Sequence, residues 1–339
     1  MNKNTNKETK ILICVLLVCV VIASVLLIVV INALQKSPES ESPAIAPPPT
    51  HVEIENIDGL TINQAKTILN GAGVQYEIIP TESRMANQIE RFEFLGNETE
   101  DGKLMIEYGT TVKIYGNDVG KDKVIYLTFD DGPTRDNSNN IVFMLEEYGI
   151  KASFFCTGEN ISHYPDRIEA MLLRGHIVAC HSQTHKYEDI YSSIDAFVAE
   201  VKQYESALME AINDSDLIDP DYFNQMKKII RFPGGTNNVY LETEEALEYI
   251  NAVRALGYSV YDWTALTGDA EGKNDAQGFI SMLDSTLSRA KNQDIDLIVL
   301  MHDKWSTNES LKEILDHLIA EGYYFDTIDH CPEYTFVEN

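Results

Sequence analysis

Two adjacent carboxylates and a spaced pair of histidines are the residues of this chain most suited to metal chemistry. Asp130 and Asp131 come directly after residues 124–129, an apolar run of strand length, and a turn sequence follows them. His181 and His185 come after a second apolar run, and at this spacing they can hold one divalent ion from one face of a helical turn. The combination predicts a two-histidine, one-carboxylate site that suits Zn²⁺ or non-haem Fe(II).

The two carboxylates are expected to have different roles. Neighbouring residues of an extended segment point in different directions, so one Asp can bind a metal while the other faces a substrate. The histidine pair lacks the adjacent glutamate of the zincin motif, so a general base must come from elsewhere, and Asp130 is the candidate. Either motif alone is weak evidence, because Asp-Asp-Gly-Pro also suits a plain turn.

Three further polar positions follow apolar runs. Arg231 opens a loop in which Gly234 lets a backbone N–H approach a ligand closely, although a surface arginine is the simpler interpretation. His302 ends the apolar run 297–301, where an imidazole needs a polar partner, and a core histidine is the alternative. Asp269 lies in a loop after another predicted strand, over residues 258–263.

The elements that must position these residues alternate along the chain. Strand signals are separated by amphipathic helical patterns, which predicts a parallel α/β fold, open or closed into a barrel. Such folds assemble their sites at the carboxyl ends of the strands, where all of these polar candidates fall. The predicted helices cover residues 139–148, 166–174, 193–212, 242–255, 276–290 and 310–320.

Five segments in this order resemble the motifs of the NodB-homology polysaccharide deacetylases, carbohydrate esterase family 4. The resemblance covers residues 121–336 and implies a distorted (β/α) barrel with one catalytic divalent metal. That metal is commonly zinc, and Co²⁺, Mn²⁺ and Ni²⁺ are the alternatives. The segments are TFDDGP at 128–133, HSQTH at 181–185, RFPGG at 231–235, the stretch 263–270, and LMHD at 300–303.

The resemblance also implies a role for each motif residue. Two positions depart from the family pattern: Gly234 stands where the family usually has Tyr, and Ala270 where it usually has Trp, which predicts a more open groove. The implied roles are Asp130 as general base, Asp131, His181 and His185 as metal ligands, Arg231 as the residue that holds the base, the Gly234 N–H as oxyanion donor, His302 as general acid, and Asp269, or failing it Asp262, as the carboxylate that tunes His302.

Composition excludes one large class of function. The 26 Lys and Arg residues are outnumbered by 54 Asp and Glu residues, and the formal net charge is −28. Nucleic-acid binding depends on a basic surface, so this class is excluded, and anionic lipid surfaces are disfavoured. Cys156, Cys180 and Cys331 are too few for a disulfide scaffold; buried thiols are expected, with a single disulfide as the alternative.

The N-terminal region predicts an anchor and a spacer. Residues 11–34 contain an apolar run long enough to cross a bilayer, and lysines precede it. We therefore predict a cytoplasmic tail at 1–10, a transmembrane helix at 11–34, a Pro/Ser-rich linker at 35–51, and an extracellular catalytic domain. A cleaved signal peptide is the alternative, although its apolar stretch is normally shorter.

Residues 52–117 predict a small domain before the deacetylase domain at 121–339. Thr61 and Gln64 have the capping-box spacing, and alternating stretches suggest one helix on a three-stranded sheet. The order of these segments resembles a PASTA domain, a module of exported proteins that contact the bacterial cell wall. Wall binding and a plain spacer are both open.

Together these features predict metal-dependent removal of N-acetyl groups from N-acetylglucosamine in a cell-wall polysaccharide, most simply peptidoglycan, with release of acetate. The alternatives are a deacetylase or esterase for chitin oligomers or acetylated xylan, and a catalytically vestigial wall-binding protein. The expected partners are the polysaccharide and, through the N-terminal helix, the membrane; no protein partner is implied.

Overall fold

The computed structural model describes residues 22, 24–27, 50–271 and 275–338. The chain divides into two compact units, Met1–Pro49 and Thr50–Asn339, and each is considered by itself. In the first unit, the described residues 22 and 24–27 are helical. All further elements belong to the second unit.

The predicted membrane anchor at 11–34 is wrong as far as the structure describes the chain. None of the helices in the described residues is long and apolar enough to cross a membrane. The predicted localisation as a single-pass membrane protein is therefore wrong. Residues 1–10, the remainder of 11–34 and 35–49 lie outside the described residues.

Residues 50–117 fold into a helix and two small sheets. Helix α1 (Ile62–Gly71) begins at Thr61, and the predicted capping box between Thr61 and Gln64 is present. The strands are β1 (His51–Ile54), β2 (Gln75–Ile79), β3 (Arg91–Glu93), β4 (Gly96–Glu98), β5 (Leu104–Glu107) and β6 (Thr111–Tyr115).

The single three-stranded sheet predicted for this region is wrong. One sheet has the order β1-β5-β4 and the other has the order β2-β6-β3. Strands β3 and β4 are three residues long and largely exposed, and three residues are too few for an alternating pattern to identify a strand. The pairing of β3 with β6 and of β4 with β5 therefore depends on tertiary contacts that the local sequence does not reveal.

Residues 84–88 join these small sheets to the rest of the unit. The Ala86 N–H donates to the Phe325 carbonyl at 2.6 Å, and the Phe325 N–H donates to the Arg84 carbonyl at 2.9 Å. The Gln88 side-chain amide donates to Asp326 at 3.0 Å. Met85 is buried in the core of the large sheet. The predicted division into domains at 52–117 and 121–339 stays a prediction.

The large sheet contains eight strands, and every neighbouring pair is parallel. Its order is β11-β10-β9-β8-β7-β13-β12, with β14 paired to the start of β7. The strands are β7 (Val124–Gly132), β8 (Ser153–Cys156), β9 (Ile177–Cys180), β10 (Ile229–Ile230), β11 (Ser259–Val260), β12 (Ala265–Leu266), β13 (Leu297–His302) and β14 (Tyr324–Asp326).

Helices connect these strands, as the alternating pattern predicts. Short 3₁₀ turns lie at Lys121–Lys123 and Ile328–His330. The helices are α2 (Ser138–Glu147), α3 (Gly158–His163), α4 (Pro165–Leu173), α5 (Tyr187–Ile190), α6 (Ile194–Asn213), α7 (Tyr222–Gln225), α8 (Thr243–Arg254), α9 (Ala276–Asn292) and α10 (Trp305–Ala320).

The sheet is a curled half-barrel rather than a closed barrel. Its edge strands β11 and β12 are consecutive along the chain and are linked by residues 261–264. Strand β7 is central and buried on both faces: Leu127 and Phe129 pack into the larger core, and Val124 and Tyr126 pack into the smaller one. The first polar side chains after this buried strand therefore emerge at the carboxyl edge of the sheet.

Candidate active site

Three potential metal ligands converge at this edge. The ligand atoms of Asp131, His181 and His185 all lie within 4.8 Å of one another. Asp131 Oδ1 is 3.5 Å from His181 Nε2 and 3.3 Å from His185 Nε2. A carboxylate oxygen and two imidazole nitrogens at these separations suit a single divalent ion such as Zn²⁺. These three side chains therefore fit the single divalent metal that the family resemblance implies.

A bulge in β7 separates the two neighbouring carboxylates. The register to β8 shifts between Asp130 and Gly132, and Asp131 has a left-handed φ of 70°. Asp130 is buried, with 3% of its surface exposed, whereas the Asp131 side chain is 46% exposed. The Asn160 amide donates to the Asp131 carbonyl at 2.8 Å and holds the bulge.

The segment between the two histidines is a loop, so the predicted helical turn is wrong. Ser182 and His185 both have left-handed backbones, with φ of 67° and 58°. The Glu200 carboxylate on α6 accepts hydrogen bonds from the Gln183 N–H at 2.9 Å and the Thr184 N–H at 2.8 Å. These contacts replace the intrahelical hydrogen bonds that would otherwise hold the histidines on one face.

Hydrogen bonding orients the first histidine for metal binding. His181 Nδ1 lies 2.9 Å from the Arg231 carbonyl oxygen, which can only accept, so Nδ1 carries the proton. The Nε2 lone pair therefore faces Asp131, as metal coordination requires. Burial lowers the pKa of His185, and the nearby His181 lowers it further, which favours the neutral imidazole that ligates metals.

Asp130 is held by a fully buried arginine. Arg231 Nη1 donates to Asp130 Oδ1 at 2.8 Å and to the Thr128 hydroxyl at 2.7 Å. The guanidinium carbon lies 4.1 Å from the centre of the Phe155 ring. Its other nitrogens donate to the carbonyls of Tyr261 and Asp262 at 3.1 Å each. Arg231 is therefore a core residue, and each of its guanidinium nitrogens donates a hydrogen bond. It is not the surface residue considered as an alternative.

A second carboxylate holds His302. His302 Nδ1 lies 2.9 Å from Asp269 Oδ1, and the His302 backbone N–H donates to Asp269 Oδ2 at 2.8 Å. The Thr307 hydroxyl also donates to Asp269 Oδ2, at 2.6 Å. Burial alone lowers the pKa of His302, but the hydrogen bond to Asp269 and the charge of Asp130 outweigh it, so the pKa is raised.

Asp262 lies away from His302. Its carboxylate accepts from the Thr236 N–H at 2.9 Å and the Phe336 N–H at 2.7 Å, and from the Thr236 hydroxyl. Asp262 therefore ties the C-terminal segment to the loop after β10. Of the two candidates, the structure brings Asp269 to the imidazole.

Gly234 is exposed and has a left-handed φ of 76°. A Cβ at this position would lie 3.0–3.1 Å from the Tyr187 ring and hydroxyl, so a larger residue would meet an occupied space. The space left by the missing side chain is thus lined by Tyr187, and the more open groove stays a prediction. Ala270, the second departure, is exposed.

Comparisons with known proteins relate this chain to polysaccharide deacetylases. A family model for polysaccharide deacetylases matches residues 117–260. Peptidoglycan-N-acetylglucosamine deacetylase of Bacillus cereus is 28% identical over 218 residues, which cover 61% of this chain and 70% of that protein. The solved structure of a Streptococcus mutans CE4 esterase has 26% identity and a TM-score of 0.52, and the match covers 61% of this chain and 86% of that one.

The deciding match is to the catalytic domain of peptidoglycan N-acetylglucosamine deacetylase from Eubacterium rectale. It has 31% identity and a TM-score of 0.53, and it covers 64% of this chain and 94% of that domain. The chain belongs to the polysaccharide deacetylase family. This polysaccharide deacetylase is therefore a hydrolase, and the family is generally metal-dependent.

Several residues that support the deacetylase site escaped the sequence analysis. Glu200 and Asn160 lie on helices, and no motif marks them as partners of the metal-site loops. The buried Asp303 accepts from the Thr134 hydroxyl at 2.8 Å and from the Ser138 hydroxyl, which fastens the turn after β7. The only signal for Asp303 was its position beside His302. The three described cysteines are buried free thiols.

Proposed function

We propose that this deacetylase removes the acetyl group from N-acetylglucosamine units of peptidoglycan. One observation carries the proposal: Asp130 and His302 are neighbours in register on β7 and β13, beside the Asp131, His181 and His185 cluster. A base and an acid on either side of a metal site are what hydrolysis of an acetamide requires.

Asp131, His181 and His185 would hold the metal, and we propose Zn²⁺ because two imidazoles and one carboxylate leave an open position. Co²⁺, Mn²⁺ and Ni²⁺ are the alternatives. When bound, such an ion supplies Lewis acidity towards the acetyl carbonyl and lowers the pKa of water.

Side-chain and backbone groups of the protein carry out the remaining steps. Asp130 accepts the proton of the attacking water, and Arg231 keeps the carboxylate oriented through its 2.8 Å hydrogen bond. The Gly234 N–H, on an exposed loop residue, donates to the developing oxyanion. Protonated His302 then donates its proton to the leaving amine nitrogen. The carbon–nitrogen bond breaks, and the products are acetate and a glucosamine unit.

Peptidoglycan is the preferred substrate for two reasons. The relatives from Bacillus cereus and Eubacterium rectale are named for it. The PASTA-like order of residues 52–117 also suggests a region that contacts the wall, which we propose as its role. Acetylated xylan is the second candidate, because a bifunctional xylanase/deacetylase of Pseudobutyrivibrio xylanivorans is 29% identical over 222 residues, 32% of that protein.

A substrate panel tests the proposal. The full chain, loaded with Zn²⁺, is incubated with purified peptidoglycan fragments, N-acetylglucosamine oligomers and acetylated xylan, and released acetate and new primary amines are quantified. Acetate and amine in equal amounts from peptidoglycan support the proposal. Acetate without amine, from xylan alone, would favour the esterase.

A further inference from the structure

A line of aromatic rings leads outward from the metal site. The His185 ring meets the Tyr187 ring edge-on at a centroid distance of 5.2 Å. The Tyr187 ring in turn stacks on the Tyr240 ring at 5.1 Å, with 26° between the planes. None of the sequence motifs includes Tyr187 or Tyr240, and neither takes part in the steps described above.

The two tyrosines are held rigidly. Tyr191, beneath them, lies 6.2 Å from Tyr240 at an interplanar angle of 22°, and its hydroxyl donates to the Pro233 carbonyl at 2.8 Å. Asn238 holds the backbone at Tyr240: its amide donates to the Gly235 carbonyl at 2.7 Å, and its oxygen accepts from the Tyr240 N–H at 2.9 Å. The outer ring is therefore carried on a hydrogen-bonded loop and packs against Tyr187 and Tyr191.

One face of the outer ring is open. Tyr240 is 44% exposed although Tyr187 and Tyr191 pack against it. Gly234, which lies against the edge of the Tyr187 ring, carries no side chain that could cover these rings. The Tyr240 ring therefore offers a flat, apolar surface that is separated from His185 by the Tyr187 ring.

We propose that Tyr187 and Tyr240 form a platform on which the sugar ring next to the reacting unit stacks, so that Tyr240 determines the preference for longer glycan chains. The inference rests on the proposed function. The C–H face of a pyranose is apolar and matches a flat aromatic ring, and the platform carries no charged group to select an ionic ligand. Tyr187 supports the platform, and Tyr240 makes the contact.

The distance favours the neighbouring sugar over the acetyl group itself. An acetamide bound between Asp130 and His302 lies at the metal cluster, whereas Tyr240 is separated from His185 by the whole Tyr187 ring. A monosaccharide unit held at the cluster therefore gains little from Tyr240, and a longer chain gains the stacking contact.

Chain-length dependence tests the platform. kcat and KM are measured with the N-acetylglucosamine monosaccharide, which has no neighbouring sugar, and with the hexamer, for the wild type, Tyr240→Ala, Tyr240→Leu and Tyr240→Phe. We expect Ala and Leu to lower kcat/KM about tenfold on the hexamer, mainly through KM, and less than about threefold on the monosaccharide. Phe keeps the ring and should stay within about twofold of the wild type. Tyr240→Leu retains bulk, which keeps the test valid should the Ala variant unfold.

Phe143→Ala is the matched control, because Phe143 is 43% exposed on α2 and touches no site residue described above. Equal losses on monosaccharide and hexamer, no loss with Ala, or a wild type without preference for the hexamer would each overturn the platform. Hexamer binding to the Asp130→Asn background, measured by calorimetry, separates the two proposals. If no oligomer is deacetylated but Tyr240→Ala still weakens binding, the proposed function fails and the platform stands.

Discussion

Asp130 and His302 are register partners on adjacent parallel strands, at the carboxyl end of β7 and β13. Each is held by a residue from a different part of the chain: Arg231 binds Asp130, and Asp269 binds His302. The charge of Asp130 also contributes to raising the pKa of His302. The candidate base and acid are thus coupled electrostatically as well as geometrically.

Metal binding should depend on each of the three clustered ligands. Asp131→Ala and His181→Ala each remove one ligand, and we expect both to lose bound metal and acetate release together. Metal content after dialysis, measured by mass spectrometry, checks this. His163→Ala is the control, since His163 is exposed and outside the cluster. Near-stoichiometric metal in both ligand variants would refute the assignment.

Asp130→Asn should keep the metal but lose turnover. The carboxylate lies beside the cluster without belonging to it, and Asn preserves the size of the side chain. Loss of a general base typically lowers kcat by about 10²–10⁴-fold. Steady-state kinetics on an N-acetylated oligomer measure this effect; a drop of less than about tenfold would mean that the proton goes elsewhere.

The pH profile should identify the partner of His302. An acid acts in its protonated form, so kcat/KM falls as the pH rises through the pKa of His302. The hydrogen bond to Asp269 raises this pKa, so Asp269→Asn should lower it and move the alkaline limb to lower pH. Asp262→Asn should leave the limb in place and reduce stability, because Asp262 bonds Thr236 and Phe336 instead. The reverse result would exchange the two roles.

Replacing Glu200 should weaken metal affinity although Glu200 is not one of the three candidate metal ligands. Glu200→Ala leaves the Gln183 and Thr184 N–H groups without their acceptor and frees the loop between the histidines. Supporting contacts of this kind are typically worth about 10–100-fold in metal affinity. Competition with a chelator measures it. Glu210→Ala, an exposed change on the same helix, should leave the affinity unchanged; equal affinities for both variants would contradict a positioning role.

Arg231→Leu should be strongly destabilising. The side chain is fully buried, and its removal leaves the Asp130 carboxylate without its charged partner. Breaking a buried pair in this way costs about 3–5 kcal/mol. The free energy of unfolding from urea titration checks it. Arg254→Leu breaks two partly exposed ion pairs and should cost about 1 kcal/mol or less. A similar loss of unfolding free energy in both variants would show that the burial of Arg231 does not determine its contribution to stability.

The sequence predicts that Asp130 and His302 lie together at one edge of the sheet, and the structure brings them there. Asp130 and His302 end apolar runs, and parallel strands bring their carboxyl ends to one edge of the sheet. The conformation of the histidine loop was not predictable in this way. Its left-handed residues are stabilised by Glu200, which lies on a later helix, so the deciding contact is non-local.

The lining of the groove and the pairing within the two small sheets also depend on contacts between residues that are distant in the sequence. Tyr187 fills the space beside Gly234 through a tertiary contact that no motif encodes. Strands β3 and β4 are short and largely exposed, so their sequences are too short to show a sustained period-two pattern. The anchor prediction relied on the length of one apolar run and on the lysines before it.

The most direct test of the account is the stoichiometry of products from peptidoglycan fragments. The Zn²⁺-loaded full chain should release acetate and expose primary amines in equal amounts, and Asp130→Asn with the same metal content should release neither at a comparable rate. Metal-loaded protein that frees no acetate from any N-acetylated polymer, or an Asp130→Asn variant as active as the wild type, would contradict it.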